Sequence, residues 1–135
     1  MAKRISDIEG IGVKTSKILK AAKVTTVEDL LDAAGSKKGR AQLSKETDIS
    51  ESVLLKYANM ADLFRVKGVA SQYAELLERA GVDTVKELKH RNAGNLVTKM
   101  NEVNAEKNLV RKTPSLTSVE GWIKQAKALP AKISH

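Results

Sequence analysis

The 135-residue sequence contains no cysteine, only two prolines and 3% aromatic residues. Without cysteine, the chain can form no disulfide, no thiolate metal site and no cysteine nucleophile. With so few aromatic residues, a core has to be built mainly from Leu, Val, Ile and Ala. Few prolines, together with many Ala, Leu, Lys and Glu residues, favour helices over strands. We therefore expect an all-α protein.

Long apolar segments are also missing. At the N-terminus, Met1, Ala2, Lys3 and Arg4 are not followed by an apolar run. A signal peptide or a membrane span requires such a run. We expect a cytoplasmic protein that has no membrane partner.

The residue patterns of known catalytic sites are missing as well. No set of His, Asp and Glu residues has the spacing of metal ligands, and no nucleophile is paired with a base. The glycine-rich segment IEGIGVK at residues 8–14 is not a nucleotide-binding loop, because it lacks the third glycine of a dinucleotide fingerprint and the Gly-Lys-Ser/Thr end of a P-loop. We expect no catalytic residues, no metal and no cofactor.

Positive charge is in excess and is unevenly distributed. The formal net charge is +8; residues 1–62 hold 11 basic and 9 acidic side chains, and residues 63–135 hold 13 and 7. A basic protein favours polyanionic partners such as nucleic acid or an anionic membrane surface, although many proteins are basic only for solubility.

An internal repeat organises the chain. Residues 8–30 read IEGIGVKTSKILKAAKVTTVEDL, and residues 66–88, which lie 58 positions later, read VKGVASQYAELLERAGVDTVKEL. Seven positions are identical, and in the first copy they are Gly10, Leu19, Ala22, Val24, Thr26, Val27 and Leu30.

The ends of the two copies match at an offset of 65, where helically spaced positions from Leu54 to Phe64 correspond to Val119 to Leu129. The second copy is therefore seven residues longer, with the insertion near residues 104–114. We predict two repeats, residues 1–64 and 65–135. Each is near the lower size limit for independent folding, so we expect them to pack into one compact helical body.

Capping signals mark the ends of the predicted helices. Thr26 and Thr84 each precede an acid by three positions, as in a capping box, and Ser50 and either Thr117 or Ser118 are suitable N-caps. Periodicity and caps predict helices at residues 3–8, 13–22, 27–34, 37–46, 51–64, 71–80, 85–91, 95–106 and 118–129.

The most informative motif is the glycine turn before the helix at 13–22, Ile8-Glu9-Gly10-Ile11-Gly12-Val13-Lys14. Gly10 and Gly12 let the chain reverse sharply, and Gly12 leaves the backbone bare where the helix begins. The first N–H groups of a helix attract anions, and Lys14 and Lys17 add positive charge. This pattern predicts phosphate binding without base recognition, although a tight turn between helices needs glycine for structural reasons alone.

These residues resemble the helix-hairpin-helix motif of DNA ligases, repair glycosylases, family X polymerases and Holliday-junction-binding proteins, and residues 66–77 look like a variant of it. Over nearly its full length the chain is similar to a bacterial tandem helix-hairpin-helix family catalogued as a domain of unknown function. The stretches ADLFRVKGVASQYAELLERAGVDTVKEL and VEGWIKQAKALP carry that resemblance. It implies two tandem helix-hairpin-helix (SAM-like) repeats, DNA binding by analogy, and a turn able to hold a monovalent cation through backbone carbonyls.

The second copy departs from the motif. Ala70 replaces the second glycine, and Gln72 and Glu75 stand at the positions of the two hairpin lysines. A carboxylate one turn into the helix repels phosphate, whereas Arg65 and Lys67 bring positive charge to the turn. The second hairpin therefore contacts DNA, a protein partner or the first copy.

Each copy also holds a candidate for a degenerate second hairpin. In the second copy the candidate is residues 92–95, which lack positive charge. Separately, the basic stretch 107–112 before Pro114 is either a solvated loop or a phosphate contact. In the first copy, residues 35–41 begin at Gly35, which also fits a helix C-terminus. This stretch has four potential phosphate donors: Ser36, Lys37, Lys38 and Arg40.

Tyr57 and Trp122 have rings able to stack on nucleobases. Both lie within apolar helical stripes, so we expect them to pack in the core.

Together these features predict a non-enzymatic protein that binds double-stranded or branched DNA with little sequence preference. The predicted contacts in the first hairpin are Gly10, Ile11, Gly12, Lys14, Thr15 and Lys17. Those in the second are Gly68, Val69, Ala70 and Ser71. The alternative is a protein-interaction or scaffold module, which Glu75, Glu78 and the degenerate second hairpin favour.

Overall fold

Helices form the regular structure of the chain. A computed structural model describes residues 4–8 and 10–134. Over these residues no strand forms, although Arg4 and Thr26 make an isolated antiparallel bridge. A short 3-10 helix, Ile5–Asp7, precedes eight α-helices: α1 (Val13–Ala21), α2 (Val27–Ala34), α3 (Lys37–Thr47), α4 (Glu51–Leu63), α5 (Ser71–Arg79), α6 (Val85–Leu88), α7 (Ala93–Lys107) and α8 (Leu116–Ala128). The all-α prediction is confirmed.

All the predicted helices are present, and all but one of their ends lie within two residues of the expected position. The first is the 3-10 helix, whose expected start at Lys3 lies outside the described residues. The exception is α6, which ends at Leu88 and not at residue 91. His90 N donates to Glu87 O at 3.3 Å and Arg91 N donates to Leu88 O at 3.1 Å, so the chain tightens into turns with three-residue spacing.

The predicted capping box at α2 is confirmed. Thr26 Oγ1 accepts a hydrogen bond from Asp29 N at 3.0 Å, and the Asp29 carboxylate accepts one from Thr26 N at 3.2 Å. That carboxylate also accepts from the backbone N–H of Thr25 at 3.1 Å and from its hydroxyl at 3.0 Å. The hydrogen bonds, above all the one from the Thr25 backbone, lower the pKa of Asp29 from its ordinary value.

Other predicted caps are confirmed only in part. Ser50 caps α4 by accepting from Val53 N at 3.3 Å. Thr84 caps α6 by accepting from Glu87 N at 3.2 Å, but the Glu87 carboxylate pairs with Arg91 at 3.0 Å.

The prediction of Thr117 or Ser118 as the cap of α8 is wrong. Ser115 takes that position and accepts from Ser118 N at 3.1 Å, so the helix starts at Leu116, two residues before the predicted start.

Two compact units divide the chain. The first takes in Met1–Asp62 and Lys132–His135, as far as these residues are described, and the second is Leu63–Ala131. In the first, α2 packs on α3; in the second, α7 packs on α5 and α8, and α6 packs on α8. The largest fully buried side chains are aliphatic except for one thioether: Ile5, Ile8, Leu19, Leu30 and Leu54 in the first unit, and Leu63, Val66, Val69, Leu76, Leu77, Leu88 and Met100 in the second.

The C-terminal residues of the first unit enclose a buried arginine. Arg40 is 3% exposed, and its guanidinium donates to Ala34 O at 3.0 Å, Gly35 O at 3.1 Å and Ser134 O at 2.6 Å. Ser134 N donates in turn to Gly35 O at 2.8 Å. The prediction of Arg40 as a phosphate donor is therefore wrong, because the guanidinium is buried and already bonded to three carbonyls.

Backbone hydrogen bonds recur in the two units at the offset of the sequence repeat. They close the turn before α1 and α5, begin each helix and end it. In the first unit they are Ile11 N to Ile8 O (3.1 Å), Ser16 N to Gly12 O (2.9 Å) and Val24 N to Leu19 O (2.9 Å); in the second they are Val69 N to Val66 O (3.2 Å), Ala74 N to Ala70 O (2.8 Å) and Val82 N to Leu77 O (2.8 Å).

The capping box predicts acid-sensitive stability. A folded-state pKa below the unfolded one stabilises the fold above the unfolded pKa, and this contribution disappears as pH falls through the folded pKa. Asp29→Asn should therefore lower the urea midpoint at neutral pH and should match the unsubstituted protein in strong acid. Glu28→Gln is the matched control, because Glu28 lies in the same helical turn outside this hydrogen-bond set. Equal effects of the two substitutions at neutral pH would contradict the role of the box.

Candidate functional site

The first hairpin is a tight turn with two buried apolar anchors. Ile11 N donates to Ile8 O at 3.1 Å, and both side chains are buried. Between them Gly10 has a φ of 95°, in the left-handed region that residues other than glycine rarely adopt. Glu9 lies outside the described residues. Ile11, predicted as a contact residue, fastens the turn to the core with its side chain.

An aromatic side chain from α4 supports this turn. The Tyr57 hydroxyl donates to Gly10 O at 3.2 Å, and its ring lies 3.5 Å from the position that a Cβ on Gly10 would take. Tyr57 is buried, which confirms the prediction that it packs in the core. Tyr57 therefore supports the turn from the core, through its hydroxyl and its ring.

The N-terminus of α1 is bare, which here means that no side chain caps it. Gly12 is the N-cap and supplies no side-chain hydrogen bond, and the first intrahelical bond runs from Ser16 N to Gly12 O at 2.9 Å. Across the described part of the chain, the amides of residues 13–15 have no hydrogen-bond partner. Apart from its chain neighbours, nothing described lies within 4 Å of a Cβ placed on Gly12. Three N–H donors thus stand at the positive end of a helix dipole.

Exposed side chains surround these donors. Lys14 and Lys17 are exposed and Thr15 is half-buried, and Lys20 continues the exposed row along α1. Residues three apart on a helix are neighbours, so the lysines form a basic ridge that begins at the bare amides. Val13 is 76% exposed and was not predicted as a site residue. The sequence feature that could have identified Val13 is an apolar residue at the first position of a helix, directly after a glycine N-cap.

The second hairpin has the same backbone. Val69 N donates to Val66 O at 3.2 Å, and Gly68 has a φ of 94°. Ala70 is the N-cap of α5 and likewise supplies no side-chain hydrogen bond. The buried Trp122 takes the place of Tyr57: its Nε1 lies 3.0 Å from the position of a Cβ on Gly68.

The second hairpin differs in its side chains. Ala70 is exposed and Ser71 is half-buried, whereas Val69 is buried like Ile11 in the first turn. Gln125 holds the second turn by accepting from Lys67 N at 2.8 Å and donating to Lys67 O at 3.2 Å. The predicted residues of each hairpin therefore lie on one turn and on the N-terminal part of the helix that follows it.

The described residues contain no group of three or more His, Cys, Asp or Glu side chains placed to hold a metal ion. None of the described helices has both the length and the apolar character needed to cross a membrane.

The architecture defines an all-helical protein in which a glycine turn precedes a bare helix N-terminus in each unit. The family model described as "Domain of unknown function (DUF4332)" matches residues 9–129, so the chain belongs to that family. This confirms the predicted resemblance to a family of unknown function. No curated protein and no solved structure matches the chain.

The two glycines of the first hairpin should respond differently to alanine. Gly10→Ala should lower the free energy of unfolding by roughly 1–3 kcal/mol, because it places a Cβ on a left-handed residue. Gly12→Ala should cost about 1 kcal/mol or less, because its φ of −91° suits alanine and the space around it is open. Urea denaturation measures both. A cost for Gly12→Ala equal to that for Gly10→Ala would contradict this account of the turn.

Proposed function

We propose that the chain binds double-stranded or branched DNA through its sugar–phosphate backbone, with two helix-hairpin-helix repeats and no catalytic chemistry of its own. The observation that carries the proposal is the set of three unpartnered amides at the start of α1, behind a glycine with open space around it. These amides and the lysines beside them present donors to an anion. The left-handed Gly10 holds the donors in place, so little ordering is required on binding.

The row of lysines favours a polymer over a free phosphate. Lys14, Lys17 and Lys20 are exposed along α1, with a rise of roughly 4.5 Å between successive lysines. A nucleic-acid backbone presents phosphates in succession, so it engages the amides and the lysines at once. The net charge of +8 adds long-range attraction.

Donors of this kind contact phosphates, which are the same at every base pair. The proposed binding therefore has little sequence preference. The side chain of Val13 is exposed at the first position of α1. The proposal assigns it an apolar contact with a sugar next to the bound phosphate. The resemblance to the helix-hairpin-helix motif supports duplex and branched DNA as the substrate class.

Fluorescence anisotropy across a salt series tests the proposal. Labelled random-sequence duplex and a four-way junction are titrated with the full chain and with Lys14→Glu. The unsubstituted chain should bind with an affinity that falls steeply with salt, because counterion release drives binding. Lys14→Glu should weaken binding roughly tenfold or more and reduce the salt slope by about 1.

Lys45→Glu is the matched control, because Lys45 is exposed, lies on α3 and undergoes the same charge reversal. It should bind nearly as well as the unsubstituted chain. Equal losses for both substitutions would contradict hairpin recognition, since net charge alone would then explain binding. Tighter binding to the junction would identify branched DNA as the preferred substrate.

Two other results would overturn the proposal. An affinity independent of salt would be incompatible with phosphate recognition. No binding even at low salt would reject DNA as the ligand, and the protein-interaction interpretation would then take its place.

A further inference from the structure

The second unit lacks positive charge where the first has it. On α5, Gln72 and Glu75 occupy the positions of Lys14 and Lys17. The Glu75 carboxylate lies 4.0 Å from the guanidinium of Arg79 in a pair spaced by one helical turn. The first turn of α5 therefore offers no cation of its own to a phosphate.

A longer connection distinguishes the second unit. Three residues, 48–50, join α3 to α4, whereas eight residues, 108–115, join α7 to α8. The sequence repeat places its seven-residue insertion in this region. The longer connection, named here the 108–115 loop, carries Arg111 and Lys112.

The loop is anchored on both sides of these two cations. Asn104 donates to Val110 O at 3.0 Å and accepts from Val110 N at 2.9 Å through its side-chain amide. Val110 and Pro114 are buried. Between them, the backbone of Lys112 accepts a hydrogen bond from the Tyr73 hydroxyl at 3.1 Å. The fold thus fixes the backbone of the loop through its neighbours.

The side chains of Arg111 and Lys112 take no part in this anchoring. Both are exposed, and neither has an ion pair or a side-chain hydrogen bond within the described chain. Two unpaired cations on an anchored loop can bind an anion with little loss of backbone conformational entropy, because the loop is already held in place.

The anchoring places both cations at the second hairpin. Lys112 lines a cavity of about 260 Å³ together with Gly68, Tyr73 and Trp122. Arg111 and Lys112 line an open cavity of about 700 Å³ together with Gln72. Gly68 forms the hairpin turn and Gln72 lies in the first turn of α5, so the two cations lie beside the hairpin from a different segment.

We propose that Arg111 and Lys112 contact phosphates of the DNA backbone at the second hairpin and supply the charge that α5 lacks. This inference rests on the proposed DNA binding and adds a second contact surface to it. The two open cavities admit a phosphate chain between the loop and the hairpin. The first unit contacts the backbone through lysines on its hairpin helix, and the second does so through its loop.

A charge-matched pair of double variants tests this inference on the full chain. Arg111→Gln with Lys112→Gln removes the loop charges, and Lys86→Gln with Lys99→Gln removes two exposed charges of the same unit that line neither cavity. Anisotropy with random-sequence duplex across a salt series gives the slope of log affinity against log salt. The loop variant should lose about 1.8 from this slope, at 0.9 for each lost phosphate contact, and the control should keep it.

Thermal melting checks that both variants are folded, as expected for exposed side chains. If the two double variants change the slope equally, total charge explains the effect and the inference fails. If the loop variant binds like the unsubstituted chain while Lys14→Glu weakens binding, the inference fails and the proposed function stands. If the unsubstituted chain binds no DNA at any salt concentration, both fail.

Discussion

The left-handed turn at Gly10 is the constraint on which the first hairpin depends. A φ of 95° reverses the chain so that Ile8 and Ile11 both enter the core while α1 starts immediately afterwards. The Tyr57 hydroxyl donates to the carbonyl of Gly10, and apart from its chain neighbours nothing described lies within 4 Å of a Cβ placed on Gly12. The same geometry that buries the two anchors therefore exposes the first amides of α1. Folding and the proposed phosphate binding depend on the same turn.

The second unit repeats this backbone and changes its side chains. Gly68 has nearly the same φ, and Trp122 replaces the supporting tyrosine. Gln72 and Glu75 replace the two lysines of the hairpin helix, and two cations on an anchored loop lie beside the turn. A turn held by buried anchors and an aromatic ring tolerates changes on its outer face, because the outer side chains contribute little to packing.

The local part of the structure was predictable from the sequence. The Thr26–Asp29 box and the glycine turn depend on residues a few positions apart, so sequence spacing alone located α1 and α2. Ser115 was missed because several hydroxyl residues are adjacent at the start of α8, and its helix begins with an exposed Leu116 that gives no periodic signal. The burial of Arg40 depends on Ser134, and the placement of the 108–115 loop depends on Tyr73. Such long-range contacts leave no pattern in a single sequence.

The most direct test of the central claim is an amide-resolved NMR titration of the full chain with random-sequence duplex. The account predicts that the backbone N–H signals of residues 13–15 shift early in the titration, and that added salt reverses the shifts. Gly12→Ala, which leaves every charge in place, should reduce these shifts because its methyl group occupies part of the open space through which a phosphate reaches the amides. DNA binding that leaves the amides of residues 13–15 unchanged would contradict the claim that the start of α1 holds the phosphate.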